Sequence, residues 1–168
     1  MLKDASPPSC AGSGRARGAG LRSWCGTGGR SRPPVPSSQN WQPWDFILIT
    51  DHGQLRELAR VWRGAGHVAG SAAAIVVIGP AADNEFGPAR FDPGQATMTM
   101  MLAAADLGIG SCHAGGADLQ LAREVLGFPE NRDWALIISL GYPAGRPLAP
   151  IRVPARRPLA EVVHRGRW

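Results

Sequence analysis

The stretch Pro36-Ser37-Ser38-Gln39-Asn40-Trp41-Gln42-Pro43-Trp44 runs straight into Asp45-Phe46-Ile47-Leu48-Ile49-Thr50. The second segment is a short apolar run and reads as a buried strand. The first is then a loop held at that strand's edge, dense in hydroxyls and amides with two indoles among them. Fixed amides beside aromatic faces suit a flat, polar, heteroaromatic ligand better than they suit a plain turn.

Working outward, two more apolar runs have strand character. Ala72 to Ile78 ends at Gly79-Pro80, and Trp134 to Leu140 closes at the Gly141-Tyr142-Pro143 turn. Between them lie helical patterns with start and stop signals. Asp51 is placed to cap a helix carrying Leu55, Leu58, Ala59 and Trp62, with Gly64 as its stop. Asp92-Pro93 is read as N-cap and first residue of the longest helix, which runs through Met100, Met101, Ala104 and Leu107 to Gly108. That helix is apolar almost all round, so it is expected in the interior or in a subunit interface. Asp118 caps Leu119 to Leu126, and Gly127 and Pro129 end it. Residues 81–91 and Gly108 to Ala117 read as loops, the second with four glycines that let a ligand approach main-chain N–H groups. Gly64 to Gly70 resembles a dinucleotide glycine loop but follows a helix and precedes a strand, the reverse of the required order. Strands separated by helices, with no repeat, indicate a three-layer α/β or α+β domain.

At 168 residues the chain is long enough for one domain with a sizeable core. The net charge of +5 resides in residues 1–34, where Lys3, Arg15, Arg17, Arg22, Arg30 and Arg32 face Asp4 alone. The remainder is balanced, so the basic charge of the whole chain is no sign of a nucleic-acid face on the folded part. Residues 1–34 hold no Ile, Val or Phe and are expected to form a disordered or atypical N-terminal segment, with the folded domain at 35–168. Three cysteines are too few for a disulfide scaffold, and no apolar run reaches the ~20 residues of a membrane span. A cytoplasmic protein without membrane or nucleic-acid partners is the expectation.

Side-chain catalysis has no visible carrier. Cys112 and His113 are neighbours in an extended segment, so their side chains point apart and do not form a nucleophile–base pair. They lack further metal ligands at a usual spacing. There is no nucleophile elbow and no phosphate-binding P-loop. No catalytic side chain and no metal site are assigned, which shifts any chemistry onto a cofactor.

Several segments, taken in order, carry a family resemblance. Pro36 to Phe46 resembles the P-S-x-x-N-x-Q-P-W-x-F loop of the nitroreductase-like flavoproteins. Asp92-Pro93-Gly94, followed by Leu102-Ala103-Ala104-Ala105-Asp106-Leu107-Gly108-Ile109-Gly110, is similar to their central helix. Leu126 to Pro129, Leu140 to Pro143 and Arg156 to Val163 resemble the L-G-x-P, L-G-Y-P and R-x-P-L-x-E-V-V landmarks. The resemblance implies an α+β fold with a central mixed sheet flanked by helices and a C-terminal extension reaching a dimer partner. It implies a homodimer binding FMN at its interface, reduced by NADH or NADPH and passing electrons by a two-step (ping-pong) mechanism to a nitroaromatic, quinone or similar small aromatic acceptor. By the same match, Ser38, Asn40 and Gln42 meet the ring edge and Ser37 supports their loop. The backbone of Ala114, Gly115 and Gly116 lies near the reactive edge, and Arg156 and Arg157 pair with the FMN phosphate.

One departure stands out. The family's usual R-R-S-x-R-x-F segment, whose groups hold the phosphate, has no counterpart in residues 1–34. Two other readings therefore stay open: a non-catalytic dimeric remnant with weak or no flavin binding, and a module for which flavin or a nucleotide is a bound signal.

Overall fold

The computed structural model of the chain describes residues 35–81, 88–115, 118–144 and 155–168. The segment 1–34 and the region around Arg146 therefore lie outside the described residues. At the centre is strand β2, Ala73–Pro80, paired on one side with β1, Asp45–Ile49, and on the other with β4, Arg132–Gly141. Strand β3, Gly110–Ala114, completes the sheet at the far edge, giving the order β1-β2-β4-β3. Register is set by apolar pairs such as Ile47 with Val76 and Val76 with Ile137.

Strand β2 is buried from Ala73 to Ile78 because it is covered on both faces. Ala73, Ile75 and Val77 point into one core, with Ala96, Met100 and Ala104 of helix α2, Pro88–Asp106. Ala74, Val76 and Ile78 point into the other, with Leu55 and Leu58 of helix α1, His52–Leu58, and Ala122 of helix α3, Leu119–Leu126. The result is the expected three layers. Each large aliphatic side chain buried in this way contributes roughly 1.5–3 kcal/mol relative to exposure.

The sheet departs from the expected mixed pairing, because all three described strand pairs are antiparallel. The first connection shows why. Ile49, at the end of β1, pairs with Ala74 near the start of β2. Helix α1 and the 3-10 segment Arg63–Gly70 thus carry the chain out and return it to the same end of the sheet, whereas a parallel neighbour needs a crossover to the opposite end.

Three boundaries also differ. Helix α1 ends at Leu58, not at Gly64. Gly64 instead lies beneath the Trp62 ring, with which any Cβ there would collide. Helix α2 begins at Pro88, ahead of Asp92-Pro93, and so includes Pro93 at the loss of one ladder hydrogen bond. Pro88 takes the first helical position, which suits proline's fixed φ. Finally, part of the segment read as a glycine-rich loop is strand β3. The backbone pairing of Ser111 to Ala114 with Leu140 to Ile137 overrides the poor strand propensity of Gly, Ser and His.

Other end signals act as read. Asp51 and Asp118 accept the N–H groups of Gln54 and Leu121 at 2.8 and 2.9 Å. Gly127 closes α3 at φ 72°. After α2, the Gly108 N–H donates to the Ala105 carbonyl at 3.0 Å and the Ile109 N–H to the Ala104 carbonyl at 2.8 Å, the paired bonds of a Schellman ending. Gly108 sits at φ 70° with open space where a Cβ would go. Replacement Gly108→Ala therefore meets backbone strain and no clash. It is expected to lower unfolding stability by about 1 kcal/mol in a urea titration.

Candidate functional site

The loop before β1 is held in an unusual backbone. Ser38–Asn40 forms one 3-10 turn, closed by the Trp41 N–H donating to the Ser38 carbonyl at 3.0 Å. Gln39, Asn40 and Gln42 all have positive φ, at 51°, 59° and 51°. For residues with a Cβ each such conformation costs on the order of 1 kcal/mol and persists only where the surroundings over-determine it.

The surroundings do so from both sides. Within the loop, the Ser37 hydroxyl oxygen accepts the Gln42 N–H at 2.9 Å, and the Trp44 N–H donates to the Gln42 carbonyl at 2.8 Å. From α2, the Asp92 carboxylate accepts the Ser38 N–H at 2.8 Å and the Ser38 hydroxyl at 3.4 Å. Gln95 Nε2 donates to the same carboxylate at 3.3 Å. Asp92 is only 1% exposed, so three donors converge on a buried carboxylate, which the interior requires of such a group. Trp44 is half-buried against Phe46, with ring centroids 6.4 Å apart, and ties the loop's end to the core.

The outer surface of the loop is polar and aromatic. Asn40 and Gln42 are exposed, and Gln42 Nε2 donates to Asn40 Oδ1 at 3.2 Å. Trp41 lies between them, 65% exposed. Of the residues singled out from sequence, Ser37 therefore serves the loop internally, Asn40 and Gln42 face outward, and Ser38 turns partly inward to Asp92.

The remaining site residues lie elsewhere. Ala114 is buried at the end of β3 and Gly115 follows it half-buried, while Gly116 lies outside the described residues. Asp45 pairs with Ile78, which pairs with Trp134, and Ala114 pairs with Ile137. The loop and Ala114-Gly115 thus flank the same end of the sheet from its two opposite edge strands. Three strand spacings, about 14 Å, separate those edges. A single chain does not gather the two groups into one cluster. Arg156 and Arg157 are exposed just before helix α4, Leu159–Val162. The Arg157 side chain reaches Glu161, with Nε 3.4 Å from Oε2 and Nη2 donating to the main-chain carbonyl at 2.9 Å. An exposed pair of this kind is worth less than about 1 kcal/mol, so a phosphate can displace it.

Cys112 is half-buried and His113 exposed, on successive positions of β3 that direct side chains to opposite faces of the sheet. Among the described residues no group of three or more His, Cys, Asp or Glu is placed to hold a metal ion. The residue that sequence reasoning misassigned is Asp92, taken for a helix cap. Its signal was present: an acidic residue within an apolar helix needs a buried partner.

Comparisons with known proteins agree with this architecture. The model of the nitroreductase family matches residues 59–142, a span that includes Asp92 and Ala114-Gly115 but not the loop or the two arginines. A protein of Archaeoglobus fulgidus, described as an NADH dehydrogenase/NAD(P)H nitroreductase, is 35% identical over 118 residues. That match covers 65% of this chain and 66% of the relative. The structure of an FMN-dependent nitroreductase from Clostridium difficile R20291 superposes with TM-score 0.63 at 26% identity, covering 71% of this chain and 74% of that one. The NADPH:FMN oxidoreductase of Vibrio harveyi, solved with NAD+, superposes with TM-score 0.65 at 25% identity, covering 80% and 64%.

The loop's internal brace can be tested directly. Substitution Ser37→Ala removes the acceptor of the Gln42 N–H. Hydrogen exchange at the Gln42 amide is expected to accelerate roughly tenfold, as the loss of about one hydrogen bond implies, with little change in the global unfolding midpoint.

Proposed function

Because the chain belongs to the nitroreductase family, we propose that it is an FMN-dependent oxidoreductase. It takes hydride from NADH or NADPH and reduces a nitroaromatic, quinone or similar aromatic acceptor, the two substrates using one site in turn. The observation that carries the reading is the braced loop: three positive-φ residues fixed by a buried carboxylate, with amides and an indole left facing outward. Such pre-set geometry suits a rigid ring. The names of the similar proteins, with FMN and NAD(P)H in them, point the same way.

The residues present fit the ring half of FMN. Its isoalloxazine edge carries carbonyl acceptors beside an imide N–H, and the Asn40 and Gln42 amides with the Ser38 hydroxyl supply matching groups. When bound, FMN supplies the two-electron chemistry that no side chain here offers. Ser38, Asn40 and Gln42 bind and orient the ring, and Ser37 keeps their loop in place. By the resemblance, the main chain at Ala114 and Gly115 would serve the reacting edge, and Arg156 and Arg157 would hold the phosphate; Gly116, the third residue of that set, lies outside the described residues.

The working unit is a homodimer. The distance between the two sheet edges supports a site completed by a second copy. So does the outward face of α2, where Phe91, Met98 and Leu102 are exposed at helical spacing. Leu159, Val162, Val163 and Trp168 of the C-terminal segment are also exposed in the single chain, as an extension lying on a partner requires. Among the described residues no helix is long and apolar enough to cross a membrane, and the proposed setting is the cytoplasm, with its pool of NAD(P)H.

The test is incubation of the full-length protein with FMN, removal of free flavin, and measurement of visible absorbance and of NAD(P)H oxidation with a quinone. Retained flavin with turnover is expected. A colourless protein that gains no flavin absorbance overturns the reading in favour of a non-catalytic remnant, and retained flavin without NAD(P)H oxidation favours a flavin-binding module. Substitution Arg157→Ala is expected to weaken FMN binding roughly tenfold while leaving riboflavin, which lacks the phosphate, unaffected.

A further inference from the structure

We infer that Asp92 is a positioning residue that fixes the direction of the Ser38 hydroxyl, so that the loop offers its ligand a lone pair and not a proton. The inference rests on the flavin reading of the loop and adds to it a choice among ring edges. It follows from what surrounds the buried carboxylate. Each of its partners is a donor: the Ser38 N–H, the Ser38 hydroxyl and the Gln95 amide. A carboxylate has acceptor sites only. The backbone N–H occupies one oxygen at 2.8 Å; the hydroxyl lies 3.4 Å from the other, which the Gln95 amide shares at 3.3 Å, and towards an oxygen that can only accept it is the proton, not a lone pair, that turns inward. The Ser38 oxygen then retains two lone pairs on its outer side, where the residue is still partly open to solvent.

The consequence is selective. A hydroxyl free to rotate pairs equally well with a carbonyl or an N–H. One whose proton is held from below pairs with an N–H and leaves a facing carbonyl unsatisfied. The ligand that meets Ser38 must therefore present a ring N–H there, which an isoalloxazine does at its imide nitrogen. Asp92 acts from a position fifty-four residues away in sequence and does so through Ser38, not by touching the ligand. An asparagine at 92 would keep the side chain's shape but replace one acceptor with a donor, so the hydroxyl could turn outward.

Binding to the full-length protein, followed by flavin fluorescence, separates this role from a merely structural one. The probes are FMN and its N3-methyl derivative, in which the imide proton is gone. Wild type is expected to favour FMN, and both Asp92→Asn and Ser38→Ala to cut that preference roughly five- to tenfold, the worth of one hydrogen bond to such a group. The double variant should lose no more than either single one. Substitutions that lower the melting temperature, or weaken both flavins alike, while leaving the preference ratio unchanged overturn the inference. Should Asp92→Asn fail to fold, Asp92→Glu, which keeps the acceptors but displaces them from Ser38, is expected to lower the ratio in the same direction, and an unchanged ratio there overturns the inference. Wild-type protein that binds neither flavin overturns the functional reading as well, and that outcome is distinct from flavin bound without preference.

Discussion

Residues Ala73 to Ile78 lose both faces to the interior at once, and everything around them answers that constraint. A strand with no polar residue and two apolar faces needs a partner along each edge and a layer above and below. Strands β1 and β4 satisfy the edges through antiparallel ladders. Helix α2 covers one face, and α1 with α3 the other. The two cores lie on opposite faces of the sheet, and β4, with Ile137 in one and Ile138 in the other, divides its side chains between them as β2 does. Shortening Val76 or Ile78 therefore leaves a void in the α1/α3 layer, and shortening Ile75 or Val77 leaves one in the α2 layer.

That constraint explains how much of the fold was legible in the sequence. The Ala72–Ile78 run announced a doubly covered strand through its lack of alternation, and Asp51, Asp118 and Gly127 marked helix ends through capping chemistry that acts locally. What could not be read was decided by distant groups. Strand β3 exists because β4 lies beside it, not because Gly110-Ser111-Cys112-His113 favours extension. Gly64 is a different case: it looks like a helix stop in sequence, but it answers to the ring of Trp62, two residues before it, which the helical reading places on the helix face. The antiparallel sense of the sheet depended on where each connection delivered the chain.

The site shows the same division. Ser37, Asn40 and Gln42 stood out because amides and hydroxyls are an odd way to enter a core. Asp92 was placed in the right helix and given the wrong task, since its partner Ser38 lies far away in sequence. The two edges of the sheet that carry the remaining site groups are about 14 Å apart by strand spacing alone, a separation that the order of motifs along the chain does not encode. Cys112 and His113 were set aside by the same period-two argument that the strand then displayed.

The strained backbone of Gln39, Asn40 and Gln42 has a thermodynamic side. Its cost is met when the chain folds, so none of it falls on ligand capture, and a ring arriving at the loop orders little. Folding stability and affinity are then coupled through one short segment. A change that shifts Asp92 in α2 loosens the brace on Ser38 with it, and a ligand that binds only the braced loop would restore stability by mass action. In this architecture a ring held there, as proposed, would serve as the last element of the fold.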